Sequence, residues 1–308
     1  MITTNNEYCS YCPPSSYVPL RSTWARAVLK KIESDKCLKN IDRNKWYRLS
    51  RQDLLYDEYR EYFHEFNEDE ETTTFIKQSE QQSDNIPLQI FHSILTSLLT
   101  LFMTRTSANG LIGRGRMFVY STRQFKTLLD VESHEESSFN TLLDIGAGDG
   151  SVTERMSSLF KKVYVTELSP TMQWRLSTYG YTVLNPDHWD NLTFDVITCL
   201  NVLDRCEKPL TLLKQIRKHL NPKTGRLIIS LVLPFQPYFE YNNNHYPNES
   251  IEIQGVLPEE QINSFLLNVF QPLGFRLKKL TRLPYLCEGD IERSYYFLFD
   301  YLFVLEMS

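Results

Sequence analysis

Thr141-Leu-Leu-Asp144-Ile-Gly146-Ala-Gly148-Asp-Gly150 is an apolar run that ends in an acid and three alternating glycines. Ser151-Val-Thr-Glu-Arg-Met156 follows with helical character. A strand that turns through glycine into a helix brings backbone N–H groups close to a ligand at the helix N-terminus. With only 11 glycines in 308 residues, against the ~7% usual in proteins, such a cluster stands out. Its spacing is D-x-G-x-G-x-G, which departs from the G-x-G-x-x-G of dinucleotide binders. The next apolar run, Val163 to Thr166, ends at Glu167, 23 residues beyond Asp144. A carboxylate at a strand end offers two acceptor oxygens to the hydroxyls of a ribose.

The surrounding pattern agrees with a nucleoside-binding sheet. Thr141–Ile145, Lys162–Thr166, Tyr181–Leu184, Phe194–Leu200 and Arg226–Leu233 read as buried strands. Val152–Phe160, Pro170–Tyr179 and Leu210–Leu220 lie between them with helical length and period. That alternation predicts an α/β fold, a mostly parallel sheet with helices on both faces. A helix at Pro258–Phe270 and strands at Phe275–Leu280 and Tyr295–Leu305 complete it. Upstream, Leu54–Phe66 and Leu88–Phe102 have apolar residues at three- and four-residue spacing, which predicts helices packed on a core. Gln78–Asn85 reads as a polar turn, and the acidic Glu65–Glu71 as a solvated helix end or loop.

The fourth strand runs into Asn201-Val-Leu-Asp204-Arg205. In an open α/β sheet the ligand lies beyond the carboxyl ends of the strands, so Asn201 and Asp204 are expected to face the reacting groups. Asn201 offers donors and an acceptor to substrate or cofactor, while Asp204 takes or orients a proton, or else only caps the next helix. Taken together, the Asp144–Gly150 loop and Glu167 resemble the class I S-adenosylmethionine-dependent methyltransferases. That class implies a Rossmann-like fold with a seven-stranded sheet, here with an N-terminal helical cap.

Five segments make the resemblance narrower. They are Arg105-Thr-Ser-Ala-Asn-Gly-Leu-Ile-Gly-Arg-Gly-Arg-Met-Phe118, Leu142-Leu-Asp-Ile-Gly-Ala-Gly-Asp-Gly150, Thr166-Glu-Leu-Ser169, Cys199-Leu-Asn-Val-Leu-Asp-Arg-Cys206 and Thr281-Arg-Leu-Pro-Tyr-Leu-Cys-Glu-Gly-Asp290. From about Asn44 to the C-terminus the chain resembles the methyltransferase-like protein 9 (DREV) family. The resemblance implies a protein-histidine methyltransferase that modifies the N-pros (N1) nitrogen in His-x-His motifs with a small x. It implies S-adenosylmethionine contacts from Glu167, Asn201 and Tyr285, beside the cofactor-binding role expected of Asp144, Gly146 and Gly148 in the glycine loop. Asp204 and Tyr296 then fall where family members engage the target histidine, and Asn201, from its place after the fourth strand, is the third catalytic candidate. Protein or peptide substrates and a monomer are expected. An endoplasmic reticulum or mitochondrial location goes with family members that carry a hydrophobic leader, whereas residues 1–40 here match neither leader nor family.

Composition narrows the classes further. Hydrophobic residues at 42% and aromatics at 13% exclude wholesale disorder. A net charge of −5 argues against binding bulk nucleic acid, which rewards a broad basic face. Cys9 and Cys12 form a lone C-x-x-C without further ligands nearby, so no metal site is expected. The start MITTNNEYCSYC has no basic, apolar leader, and the default expectation is an intracellular, cytoplasmic protein. Expected organisation is a tail over 1–40, a helical cap and active-site lid over 41–116, and the cofactor-binding domain over 117–308. RNA or small-molecule methylation, and a non-catalytic adaptor with the same fold, are the competing functions.

Overall fold

The computed structural model describes residues 23–102, 105–132, 139–239 and 245–308. Among them the strands are β1 (Met117–Phe118), β2 (Phe139–Ile145), β3 (Phe160–Thr166), β4 (Thr182–Leu184), β5 (Val196–Leu200), β6 (Arg226–Val232), β7 (Phe275–Asp290) and β8 (Arg293–Met307). They form a mixed sheet in the order β1-β7-β8-β6-β5-β2-β3-β4. From β4 through β3, β2 and β5 to β6 all pairs are parallel, and β8 returns antiparallel to β6. This is the Rossmann-like class I methyltransferase architecture. The expected seven strands gain an eighth, the two-residue β1, which pairs antiparallel with Leu286 and Cys287 of β7.

Parallel strands covered on both faces read as nearly continuous apolar runs. Leu142 and Leu143 of β2, Val196 and Ile197 of β5, and Leu227, Ile228 and Ile229 of β6 are accordingly fully buried. Helix Pro209–His219 turns Leu213, Ile216 and His219 inward at three-residue spacing, with proline at its start where no N–H is needed.

The chain makes two compact units, neither contiguous in sequence. The larger comprises Tyr47–Asn67, Tyr120–Leu283 and Phe299–Ser308, and it carries the parallel strands. The smaller comprises residues up to Trp46, Glu68–Val119 and Pro284–Leu298. Within the smaller unit, Trp46 stacks on Phe297 with centroids 4.9 Å apart. Buried Lys31 meets Asp35 at 2.6 Å and Asp84 at 2.7 Å. Residues 23–39, expected to belong to a tail, form a helix that carries this lysine. Cys9, Cys12 and His134 lie outside the described residues.

Three upstream expectations need correction. Leu54–Phe66 is no continuous helix but a 3₁₀ turn at Gln52–Leu54 and one helical turn at Asp57–Arg60. Its apolar residues are still buried at Leu55 and Tyr59. The backbone instead pairs with β7, His64 donating to Leu280 O and Leu280 to Tyr62 O, both at 2.8 Å. Gln78–Asn85 is no turn either, but the end of helix Glu70–Asp84, which Asp69 caps by accepting from Thr72 N at 3.0 Å. Helix Ile86–Leu99 forms as expected, with the opposite face inward. Gln89 and Thr96 are buried while Phe91, Ile94 and Leu98 are exposed. Gln89 donates to Gln82 O at 3.0 Å and Thr96 bonds Asn109 at 3.2 Å, so the inward face is held by hydrogen bonds.

Candidate active site

The larger unit brings the glycine loop, Glu167, Asn201 and Asp204 to the carboxyl ends of neighbouring parallel strands. Pairing of Ile145 with Thr166 on one side and with Cys199 on the other sets this register. Asp144 ties three elements together. One of its oxygens accepts from Thr153 Oγ1 at 2.6 Å and the other from Thr198 Oγ1 at 2.7 Å. Burial pushes this carboxyl up to about 6 against the pull of those two hydroxyls. With both oxygens engaged, Asp144 braces the loop from below.

Gly146 stands at φ +71°, and a Cβ built there would lie 2.7 Å from Val202 Cγ2. This glycine therefore lets the loop after β5 close onto the loop after β2. Gly148, at φ +57°, faces open space, with nothing within 4 Å of a built Cβ. Alanine in the left-handed region costs about 1–2 kcal/mol. Gly146→Ala adds the overlap with Val202, so it is expected to lower unfolding stability by more than Gly148→Ala does. Urea denaturation of the two variants measures the difference, and equal losses would remove Val202 from the account.

Glu167 is half-buried and crowded with backbone donors. Its Oε2 accepts from Gly148 N at 3.0 Å, and Oε1 accepts from Leu168 N at 2.8 Å and Ser169 N at 2.9 Å. A carboxylate has about four lone-pair positions. Three are used by described residues, which leaves one acceptor position on Oε2. The two-pronged contact expected from sequence requires Oε1 to release a backbone N–H first.

The loop after β5 carries the second half of the site. Asn201 takes the left-handed conformation at φ +54° and is anchored by its N–H to Ser230 O at 3.1 Å. Its amide nitrogen donates to Asp300 Oδ2 at 2.7 Å, while its Oδ1 is buried without a hydrogen-bond partner among the described residues. Asp300 lies fully buried on β8. Burial pushes it up to about 7, which Asn201 and Ser230 oppose and the Asp204 charge reinforces. Asp204 is also buried, and its Oδ2 accepts from Arg205 Nε at 3.1 Å while Oδ1 has no partner among the described residues. Burial raises Asp204 to about 6, with the Arg205 guanidinium holding it back. Asp300 was not singled out by sequence reasoning. Its signal was a lone acid in the apolar run Tyr295-Tyr-Phe-Leu-Phe-Asp-Tyr-Leu-Phe-Val-Leu305.

Tyr285 and Tyr296 belong to the smaller unit. The Tyr285 hydroxyl donates to Met117 Sδ at 2.7 Å. Tyr296 donates to Asp290 Oδ2 at 3.0 Å, and burial together with the Asp290 charge raises its phenol well above the ordinary value. In the same unit Arg116 pairs with Glu288 at 2.7 Å and Arg114 approaches Asp290 at 3.8 Å.

The sequence model described as DREV methyltransferase matches residues 46–307. The chain belongs to the DREV methyltransferase family. Several solved structures are similar to this family member at low identity. The N-methyltransferase NodS of Bradyrhizobium japonicum, bound to S-adenosylhomocysteine, is 16% identical over 60% of this chain and 84% of its own, with a TM-score of 0.38. The magnesium protoporphyrin IX methyltransferase of Synechocystis, with bound S-adenosylmethionine, is 15% identical over 61% of this chain and 78% of its own, also with a TM-score of 0.38. For the DREV chain, the strand order and the family match carry the fold assignment.

Proposed function

We propose that this DREV methyltransferase uses S-adenosylmethionine to methylate the pros nitrogen of histidine in His-x-His segments of proteins or peptides. The chain's own residues fit that cosubstrate. Asn201 Oδ1 is a buried acceptor without a partner among the described residues, suited to an ammonium. Glu167 Oε2 retains a lone pair for a ribose hydroxyl, and the loop is open at Gly148. When bound, S-adenosylmethionine supplies an electrophilic methyl on a sulfonium.

The observation that carries the histidine reading is Asp204. Its buried carboxylate keeps Oδ1 without a partner among the described residues, two residues beyond Val202, which packs on the glycine loop at Gly146. A neutral imidazole has one N–H and one lone pair, and only the lone pair is nucleophilic. Asp204 accepts the N–H of the tele nitrogen, which leaves the pros lone pair bare for the methyl. The same carboxylate stabilises the imidazolium as it forms, the orienting role that Asp plays toward His in hydrolases. No strong base is needed for a neutral nucleophile, so the remaining task is alignment. The His-x-His preference and the roles of Tyr285 toward cofactor and Tyr296 toward the acceptor rest on the family resemblance. Among the described residues no helix is long and apolar enough to cross a membrane.

The test is methyl transfer from labelled S-adenosylmethionine to a His-Ala-His peptide, to its Ala-Ala-Ala variant and to total RNA. Label is expected on the first alone, at the pros nitrogen. Label confined to RNA would overturn the reading, and label at the tele nitrogen would overturn the role given to Asp204.

A further inference from the structure

We infer that Asp300 is the positioning residue that fixes the Asn201 amide with its oxygen toward the ligand, and so selects for the ammonium of the cofactor's amino-acid tail. The inference rests on the cofactor reading above and adds to it a residue outside the motifs. An amide side chain has two nearly equivalent orientations, and its hydrogen-bond partners decide which is held. Asn201 reaches Asp300 Oδ2 at 2.7 Å through its nitrogen. Above the value of about 7 to which burial raises it, Asp300 is ionised and only accepts, so it admits the NH₂ group and repels the oxygen. The Asn201 backbone cannot turn away, because its N–H is tied to Ser230 O at 3.1 Å. Asn201 Oδ1 is thereby left as a buried acceptor with no partner among the described residues. A buried acceptor without a partner is costly, and a ligand that brings a donor removes that cost. An ammonium has donors and no acceptor, which makes it the complementary group.

Asp300 has no comparable packing role. It sits among Tyr301, Leu302, Phe303, Val304 and Leu305, all fully buried, where an apolar residue would cost nothing to desolvate. Holding a carboxylate there is unfavourable unless it acts on a neighbour, and beside Ser230 the side chain it engages is Asn201, at 2.7 Å. Asp300→Asn keeps the shape but lets the facing amides pair in either sense, so the orientation of Asn201 is no longer held.

The experiment is calorimetry with two probes, S-adenosylhomocysteine and 5′-methylthioadenosine, which shares the nucleoside and thioether but lacks the amino-acid tail. Asp300→Asn is expected to weaken S-adenosylhomocysteine about tenfold, the size of one charge-assisted hydrogen bond, and to leave 5′-methylthioadenosine within about twofold. Asn201→Leu is expected to show the same selectivity, and the double variant to bind no more weakly than Asn201→Leu alone, because Asp300 acts through Asn201. Equal weakening of both probes by Asp300→Asn, or additive losses in the double variant, would overturn the inference and leave the cofactor reading standing. Failure of the unsubstituted protein to bind either probe would overturn both. Should Asp300→Asn not fold, Asp300→Leu takes its place, an apolar side chain that its buried surroundings accept. The same tail-selective loss is expected, and affinities unchanged or equally weakened would overturn the inference.

Discussion

Replacing Asp204 by alanine is expected to lower kcat by on the order of 10²–10⁴-fold, the range for a positioned proton-accepting side chain. Affinity for S-adenosylhomocysteine is expected to stay within about threefold, because the cofactor contacts proposed here come from other residues. The split follows from geometry. Asp204 is buried, Arg205 occupies Oδ2, and Oδ1, without a partner among the described residues, is the acceptor proposed to receive an imidazole N–H. Without it neither tautomer of the target histidine is favoured, and the imidazolium forms without a counter-charge. The same residue sets the acid limb of the pH–rate profile. Asp204 supplies the counter-charge to the forming imidazolium only when ionised, and burial raises it to about 6. Turnover is therefore expected to be full above that value and to fall as pH drops through it, with protonation of the target imidazole (about 6.5 when unperturbed) adding to the loss. Steady-state kcat between about pH 5 and 8.5 measures both effects. Unimpaired turnover in Asp204→Ala, or a rate that rises on acidification, would sink the assignment.

Much of this site can be read from sequence because its parts are local. The glycine loop follows its strand directly, and Glu167 ends the next one, so spacing along the chain reports spacing across the sheet. Asn201 and Asp204 are legible for the same reason, since β5 before them neighbours β2, which carries the glycine loop. Asp300 is not, because its partner Asn201 is 99 residues away and only the antiparallel pairing of β8 with β6 brings them together. A lone acid in an apolar strand signals that a partner exists without saying which one.

The upstream helices fail for a different reason. Apolar spacing at 54–66 fits a helix, yet the same residues are buried from a chain that gives its backbone hydrogen bonds to Leu280 of β7. Periodicity counts side chains and is blind to where the N–H groups go. In helix Ile86–Leu99 the period was right and the inward face was not. A stripe specifies that two faces differ, whereas the bonds of Gln89 and Thr96 decide which one turns inward.

Glu167→Ala is expected to act on binding, in contrast to Asp204→Ala. It removes the carboxylate that offers Oε2 to a ribose hydroxyl, a charge-assisted bond of about 1.5–3 kcal/mol. That corresponds to affinity for S-adenosylhomocysteine weakened by about 10–100-fold. The substitution also strips the acceptor from Gly148 N, Leu168 N and Ser169 N at once. Some of the loss therefore arises from a loosened loop, and the melting temperature is expected to fall as well. Glu167→Gln separates the two causes. Its amide oxygen still takes Leu168 N and Ser169 N, while its NH₂ now faces Gly148 N and offers a ribose hydroxyl no charged acceptor. Weak binding in Glu167→Gln, with a melting temperature well above that of Glu167→Ala because two of the three backbone contacts are kept, assigns the effect to the ribose contact. Binding near that of the unsubstituted protein in Glu167→Gln, with weak binding only in Glu167→Ala, would reduce Glu167 to a brace for the glycine loop. Affinity within about threefold in both variants would remove Glu167 from the cofactor site altogether, and with it the reason the strand ending at Thr166 needs an acid next.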